Sequence, residues 1–490
     1  MTTKLGPAAA QEREPKDTAN GAVFVAKRSP LEAWDGPTYQ DLLDGDEQYK
    51  PVSAIVREHR VVDVGELSYS AARYTDAEFF KKEVEHVFLK TWQYTCREEE
   101  IPNAGDTYLY ELVGRSLLVT RQQDGSIRAF ENVCRHRGRK LATQGGCKTA
   151  FRCPYHGFTW ELDGSFRPGP VAWDFPQIDP KDFRLGEAQV ATWAGFVFVN
   201  FDRHAPPLEA VIEPLARHLG YWKVEECYKA AHVAKVVPCN WKVACEAFLE
   251  NHHVGATHPQ LVGYTSDANA QYDILSDHVT RAISIYGFPG LTYDGVPLTP
   301  EQVLEHTMRN GNKVGNLAGA GFDGSVSNRH FLATIGRANL EARTGRDLSD
   351  HCDAEFLDGF SHDLFPNFHL WGPLGQKISY RFRPHGLDHE QTLFEVFLYK
   401  LAPLNEPAPP PAPMRLLGPA EPFSDAFQQI SYLANVLVQD EGNMGAVQEG
   451  LRALGERPIQ FARYSEIRCR NLHRMIDVYI ARGEAAGRAA

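Results

Sequence analysis

Residues 134–157, CRHRGRKLATQGGCKTAFRCPYHG, hold one Cys-x-His pair and one Cys-x-x-His pair. The candidate ligands are Cys134, His136, Cys153 and His156, with sixteen residues between His136 and Cys153. Two thiolates and two imidazoles can hold structural zinc, but zinc fingers group cysteine with cysteine and end on a helix. Here each thiol travels with an imidazole, and the flanks read as strands. A [2Fe–2S] cluster accounts better for that pairing. One iron takes the two thiolates, the other takes two neutral imidazoles, and the imidazoles raise the potential. Gly138 and Gly157, close behind the histidines, permit tight turns, and Pro154 stiffens the second loop. The segment GSFRPGP, 164–170, offers a third loop to shield the cluster. Cys147, stranded between the loops, is expected to be a thiol without a metal.

Moving one electron needs far less than 490 residues. The second constellation is NWKVACEAFLENHHVGATHPQL, residues 240–261. It places Glu246, Glu250, His252, His253 and His258 on an expected helix that frays near Gly255 and stops before Pro259. His253 and His258, five residues apart, would sit about 140° apart on an ideal helix. The helix must therefore loosen between them if both are to bind one ion. Two histidines and one carboxylate, with positions left open, form the donor set of non-haem Fe(II) oxygenases. The competing reading is a His-rich helix end that caps its last carbonyls.

Taken in order, the Cys/His loops, the spacing E-x-x-H-x4-H and a late acidic stretch resemble the α (oxygenase) subunit of the Rieske non-haem iron oxygenases, the aromatic-ring-hydroxylating dioxygenase family. The resemblance spans roughly residues 70–475. It implies an α+β chain: an all-β Rieske [2Fe–2S] domain, then a helix-grip catalytic domain with an antiparallel sheet and helices. It also implies a mononuclear Fe(II) held by His253, His258 and Asp440, the last from VLVQDEGNMGAVQEGL (436–451), with Glu441 as the competing carboxylate. The family commonly has tyrosine before the first ligand histidine, where this chain has His252. His252 and His253 thus compete for the register, and the spacing to His258 favours His253. By the same resemblance Glu250, often Asp in the family, is catalytic. It bridges an iron-ligand imidazole and His156 on the cluster of a neighbouring subunit. The implied cofactors are one Rieske cluster and one Fe(II) per subunit, with NAD(P)H acting through a ferredoxin or flavin reductase. The implied reaction uses O2 to hydroxylate, dihydroxylate or demethylate a small, aromatic substrate, in a homotrimer or α3β3 assembly. Two other readings stand beside it: a Rieske electron carrier with a non-catalytic second domain, and a zinc-stabilised binding protein.

Four stretches of chain must position these residues. Residues 1–50 read as a disordered or extended segment. Residues 51–92 read as a helical lead-in packing on the catalytic domain. In DAEFFKKEVEHVFLKTW, Phe79, Phe80, Val84, Phe88 and Trp92 recur at helical spacing behind Asp76 as N-cap. Residues 93–203, the Rieske domain, alternate short apolar runs with turns such as QDGS (123–126). Residues 204–490, the catalytic domain, mix helical patterns with runs such as QKISYRFRP and QTLFEVFLYKLAP. Arg381, Arg383 and His385 are expected there as solvated strand positions. The Gly-rich stretch 309–324 is expected as a mobile insertion, a candidate lid, and the Pro-rich 403–413 as extended and exposed. A net charge of −12 argues against nucleic acid as partner. No apolar run is long enough to span a membrane. The first residues lack the apolar core of a secretory signal, so the expected location is cytoplasmic. Nine cysteines, without a dense framework, read as reduced thiols or ligands rather than disulfides.

Overall fold

The computed structural model describes residues 38–267, 269–291, 298–310, 321–374 and 377–489. The chain is α+β, built on two large antiparallel sheets. Most of the stretch expected to be disordered, residues 1–37, lies outside the described residues. Its remainder is not extended: Tyr39–Asp46 is a helix. A capping box at Thr38 and Asp41 satisfies its first N–H groups, and buried Tyr39 and Leu43 join the core. Asp76 caps the helix Ala77–Glu83, accepting from the Glu78 N–H.

The N-terminal β unit is a seven-stranded sheet in the order Gln93–Arg97, Phe196–Asn200, Glu187–Trp193, Ile127–Glu131, Arg115–Arg121, Asp106–Leu112, Gly146–Cys147. A three-stranded sheet, Phe151–Arg152, Thr159–Trp160 and Phe166–Arg167, carries the second Cys/His loop. The second large sheet has eight strands: Gln271–Ile274, Val279–Ser284, Gly359–Leu364, Phe368–Gly372, Lys377–His385, Asp388–Leu401, Cys227–Val237 and Arg415–Leu417. Only the last of these runs parallel to its neighbour. The helices Leu433–Leu454 and Ile467–Ala489 cover this sheet. Leu433, Leu437, Met444 and Leu451 form an apolar stripe on the first. They share one core with Phe382, Phe394 and Val396 of the sheet and with Tyr110, Leu117 and Val119 of the N-terminal unit.

The two units are also joined by charge. Arg381 was expected to be solvated, yet it is 1% exposed. Its guanidinium donates to the Tyr94 and Thr95 carbonyls at 2.7 Å each, and to Glu395 at 2.6 and 2.7 Å. Arg383, also buried, bonds Glu395 at 2.8 Å and donates to the Glu111 carbonyl. Their strand runs inside the sheet, with its far face against the N-terminal unit, so these side chains are buried, Arg383 keeping 8% exposure. His385, at the strand end, is exposed as expected. Most of the Gly-rich stretch, residues 311–320, lies outside the described residues. The Pro-rich 403–413 has no regular structure and is largely exposed. No helix among the described residues is long and apolar enough to cross a membrane.

Candidate functional site

The two Cys/His loops fold as near copies of each other. The Cys134 N–H donates to the Arg139 carbonyl (2.8 Å), and the Gly138 N–H returns to the Cys134 carbonyl (2.8 Å). In the second loop the Cys153 N–H donates to the Phe158 carbonyl (2.8 Å), and the Gly157 N–H to the Cys153 carbonyl (3.0 Å). Gly138 and Gly157 have φ of 75° and 77°, in the left-handed region open to glycine, so each chain can turn back behind its histidine. The loops bring thiol to thiol and imidazole to imidazole: Cys134 and Cys153 lie within hydrogen-bond reach of each other. Cys134 and Cys153 are buried at 2% exposure, and the His136 and His156 ring centroids lie 4.8 Å apart.

The electrostatics fit a metal cluster. Burial pushes the Cys134 thiol up, and the neighbouring Cys153 adds to this, against the His136 and Arg137 backbone N–H groups. Such a thiol ionises only when a metal takes the charge. Burial, then repulsion from His156, lowers His136, leaving the neutral imidazole that a metal requires. Its Nδ1 is buried and has no hydrogen-bond partner among the described residues, although burying such an atom without a partner is costly. The ring stacks on Phe158 at 4.4 Å. Pro168, Gly169 and Pro170 of the third loop line a cleft with His156. Cys147 is exposed on an edge strand, apart from the pair of thiols.

The second constellation needs a corrected local structure. The expected helix is broken: Trp241–Glu246 is helical, residues 247–253 turn, and only Val254–Thr257 resumes. The break lies ahead of both ligands. Between them the chain makes one helical turn, Val254–Thr257, with His253 at its N-cap and His258 leaving the helical conformation at its C-cap (φ −123°, ψ 54°), and the two rings lie 5.2 Å apart, centroid to centroid. Asp440 comes from the middle of Leu433–Leu454, not from a helix start, and is 5% exposed. The His258 Nε2 lies 2.9 Å and the His253 Nε2 3.6 Å from Asp440 Oδ1. Among the described residues these three form the one group of metal-ligating side chains whose donor atoms all lie within 4.8 Å of one another. Both Nε2 atoms converge on one carboxylate while each Nδ1 is held elsewhere, a donor set suited to a divalent iron.

The competing residues point away. His252 is exposed. Glu441 pairs with Lys235. Glu246 turns to the Tyr74 hydroxyl (2.8 Å) and His473 Nε2 (2.9 Å). Glu250 accepts from His253 twice, from Nδ1 at 2.7 Å and from the backbone N–H at 3.0 Å. Burial pulls His253 down, but the Glu250 hydrogen bond and the charges of Glu250 and Asp440 outweigh it and raise the imidazole. Sequence reasoning missed Gln439, whose Oε1 accepts from His258 Nδ1 at 2.9 Å and is held by Gln260 Nε2 at 2.8 Å. The signal was its place beside Asp440, because metal-bound histidines give their second N–H to an acceptor nearby. A cavity of about 120 Å³ opens beside the three ligands. Phe248, Tyr264, Tyr286, Trp371, Tyr380 and Tyr432 contribute to its wall.

Comparison with known proteins identifies both domains. Residues 91–179 match the Rieske [2Fe–2S] domain, and residues 216–482 match the ring hydroxylating alpha subunit (catalytic domain). The oxygenase subunit of carnitine monooxygenase from Escherichia coli is 33% identical over 189 residues, 38% of this chain and 50% of that protein. The α subunit of chlorobenzene dioxygenase from a Cupriavidus species is 35% identical over 197 residues, 39% of this chain and 44% of its own. The chain thus spans about half the length of the curated relatives it matches. Among solved structures, a quaternary ammonium Rieske monooxygenase aligns with a TM-score of 0.59 at 20% identity, over 84% of this chain and 95% of that one. Naphthalene 1,2-dioxygenase from a Rhodococcus species gives 0.55 at 19%, over 84% and 94%. At these identities the likeness concerns the fold.

Proposed function

Since this chain belongs to the ring-hydroxylating α-subunit family, we propose that it is a terminal oxygenase, one that takes electrons through a Rieske cluster and uses O2 to hydroxylate, dihydroxylate or demethylate a small organic substrate. The observation that carries this reading is the meeting of His253, His258 and Asp440 in the wall of an aromatic-lined cavity. When bound, the cluster relays single electrons and the mononuclear iron supplies O2 activation.

The chain's own residues do the rest. Cys134, His136, Cys153 and His156 hold the cluster, and His253, His258 and Asp440 hold the iron. Glu250 and Gln439 fix both imidazoles with Nδ1–H outward, so each Nε2 lone pair faces the metal position. The aromatic wall admits the substrate and keeps bulk water from the reacting carbon.

Electrons come from a ferredoxin or flavin reductase fed by NAD(P)H. Glu250 also links this site to His156 on the cluster of a neighbouring subunit, in a homotrimer or α3β3 ring. Two features favour that link: the Glu250 side chain retains 11% exposure, and Tyr155, next to His156, is 57% exposed. The test is substrate-dependent O2 and NAD(P)H consumption by iron-loaded protein with a surrogate reductase and ferredoxin. Aromatic acids, polycyclic arenes, methoxyarenes and quaternary amines form the screen. Protein with an intact, reducible cluster and bound iron that consumes no O2 with any of them would return the chain to the electron-carrier reading.

A further inference from the structure

Most hydroxyls around the cavity are already engaged. Thr265 Oγ1 donates to the Ile285 carbonyl (3.0 Å), Ser266 Oγ accepts from the Ile285 N–H (2.8 Å), and Thr307 donates to the Val303 carbonyl (2.8 Å). Ser284 Oγ accepts from Asn251 Nδ2 (2.6 Å), and Tyr286 is bonded to Thr265. Two tyrosines differ. Tyr264 and Tyr380 line the cavity and are each 2% exposed. Neither hydroxyl has a hydrogen-bond partner among the described residues. Neither hydroxyl is fully enclosed, and the wall of the cavity is where both residues stand. Tyr380 sits against Phe248 at 4.4 Å and Tyr264 near Tyr286 at 6.1 Å, so packing fixes both rings. No lysine or arginine among the described residues lines the cavity.

A buried phenol without a partner is an energetic liability of about 1–3 kcal/mol that a bound acceptor removes. Burial also keeps both phenols protonated as donors. A carboxylate substrate would meet no lysine or arginine here among the described residues, and a divalent iron would be balanced by Asp440 and Glu250, leaving no net positive charge to hold an anion. A cationic amine would leave two donors unanswered. Building on the oxygenase reading, we infer that Tyr264 and Tyr380 determine specificity, selecting uncharged ring compounds that carry an oxygen acceptor such as a methoxyl, a hydroxyl or a carbonyl. A site built to hydrogen-bond its ligand rejects the analogue that lacks the group far more strongly than an apolar pocket rejects a missing methylene.

The test is equilibrium binding to the full-length, iron-loaded protein by calorimetry, with matched pairs of probes. Methoxybenzene is set against ethylbenzene and acetophenone against isopropylbenzene, with choline and benzoate alongside. The expected result is that each oxygen-bearing member binds at least about tenfold tighter than its alkyl partner. Tyr264→Phe and Tyr380→Phe, which keep both rings, should each reduce that ratio, and the double variant should bring it near one while ethylbenzene binding stays put. A parent ratio near one, a ratio the double variant leaves intact, tighter binding of choline or benzoate, or no binding of any ring probe overturns the inference. O2 consumption measured in the same preparations separates the two claims. Discrimination without turnover refutes the oxygenase reading alone, and turnover without discrimination refutes the tyrosine pair alone.

Discussion

Glu250→Gln keeps the side-chain length and one carbonyl oxygen but removes the charge. In the parent the carboxylate accepts from His253 Nδ1 at 2.7 Å and from its backbone N–H at 3.0 Å. A hydrogen bond to a charged group contributes about 1.5–3 kcal/mol and a neutral one about 0.5–1.5. The amide offers one acceptor oxygen for two donors and turns an NH2 toward the other. Residual exposure of 11% at Glu250 and 25% at His253 lets solvent offset part of the loss, so we place it near the lower end, about 1.5 kcal/mol. That is about tenfold in Fe(II) affinity, the lower bound usual for loss of an outer partner to a metal-bound histidine. Chelator competition reads the affinity, single-turnover product yield at saturating iron reads the chemistry, and the visible spectrum reads the cluster. The expected outcome is a normal cluster, iron bound about tenfold more weakly, and product yield reduced by at least about tenfold. Iron affinity and product yield both within twofold of the parent would refute the reasoning.

Cys153→Ala should abolish the Rieske absorbance and lower the thermal midpoint, because the cluster contributes folding free energy as well as redox chemistry; a variant with the parental spectrum refutes the ligand assignment. Asp440→Ala should empty the mononuclear site while sparing the cluster, and Glu441→Ala, which loses only its partner Lys235, should retain iron; metal analysis showing the reverse order sinks the choice of Asp440. Burial pushes Glu246 up to about 8, against the Tyr74 hydrogen bond and Lys242, and pushes Asp363 up to about 7. Both folded values lie above the unfolded ones, so the folded chain holds protons that the unfolded chain has released, and stability is lost as pH rises from about 4 to 8. Thermal melts across that window should show the midpoint falling, with a shallower slope in Glu246→Gln; an unchanged slope in the variant is the contrary result. Glu395→Gln leaves the buried Arg381 and Arg383 short of their counter-charge and should cost about 3–5 kcal/mol in denaturant unfolding; a loss under about 1 kcal/mol would mean the carbonyls of Tyr94, Thr95 and Glu111 suffice.

The Rieske domain was legible because the chemistry of its candidate ligands is local: each loop is a short hairpin whose cysteine, histidine and glycine lie within five residues. The iron site was half legible. His253 and His258 are near in sequence, but periodicity alone extends the helix from Trp241 through Thr257, whereas the chain turns over 247–253, where Leu249 is buried in the core and Phe248 packs against it. Asp440 lies 182 residues from His258, and nothing local in its helix marks it as a ligand; only the resemblance did. Gln439 was invisible for the same reason. Arg381 was misread because a charged strand residue usually faces water, whereas here the far side of the strand is another sheet. Tyr39–Asp46 was missed because eight residues of mixed polarity make a weak helix signal, and its stability comes from the Thr38–Asp41 cap and from packing.

The two imidazoles of the proposed iron site are not equivalent, and the difference has a physical logic. His253 is backed by the carboxylate of Glu250, His258 by the neutral amide of Gln439. A divalent iron with Asp440 and Glu250 sums to zero charge. A carboxylate in place of Gln439 would tighten iron binding, since it raises the basicity of the ligand it supports. It would also leave a net negative charge beside a largely aromatic cavity wall, where an uncompensated charge is expensive. Charge neutrality at the metal therefore suits an uncharged ligand, the same class that the open hydroxyls of Tyr264 and Tyr380 call for. Both supporting groups are half-buried: Glu250 keeps some contact with solvent, and Gln439 is held in turn by Gln260.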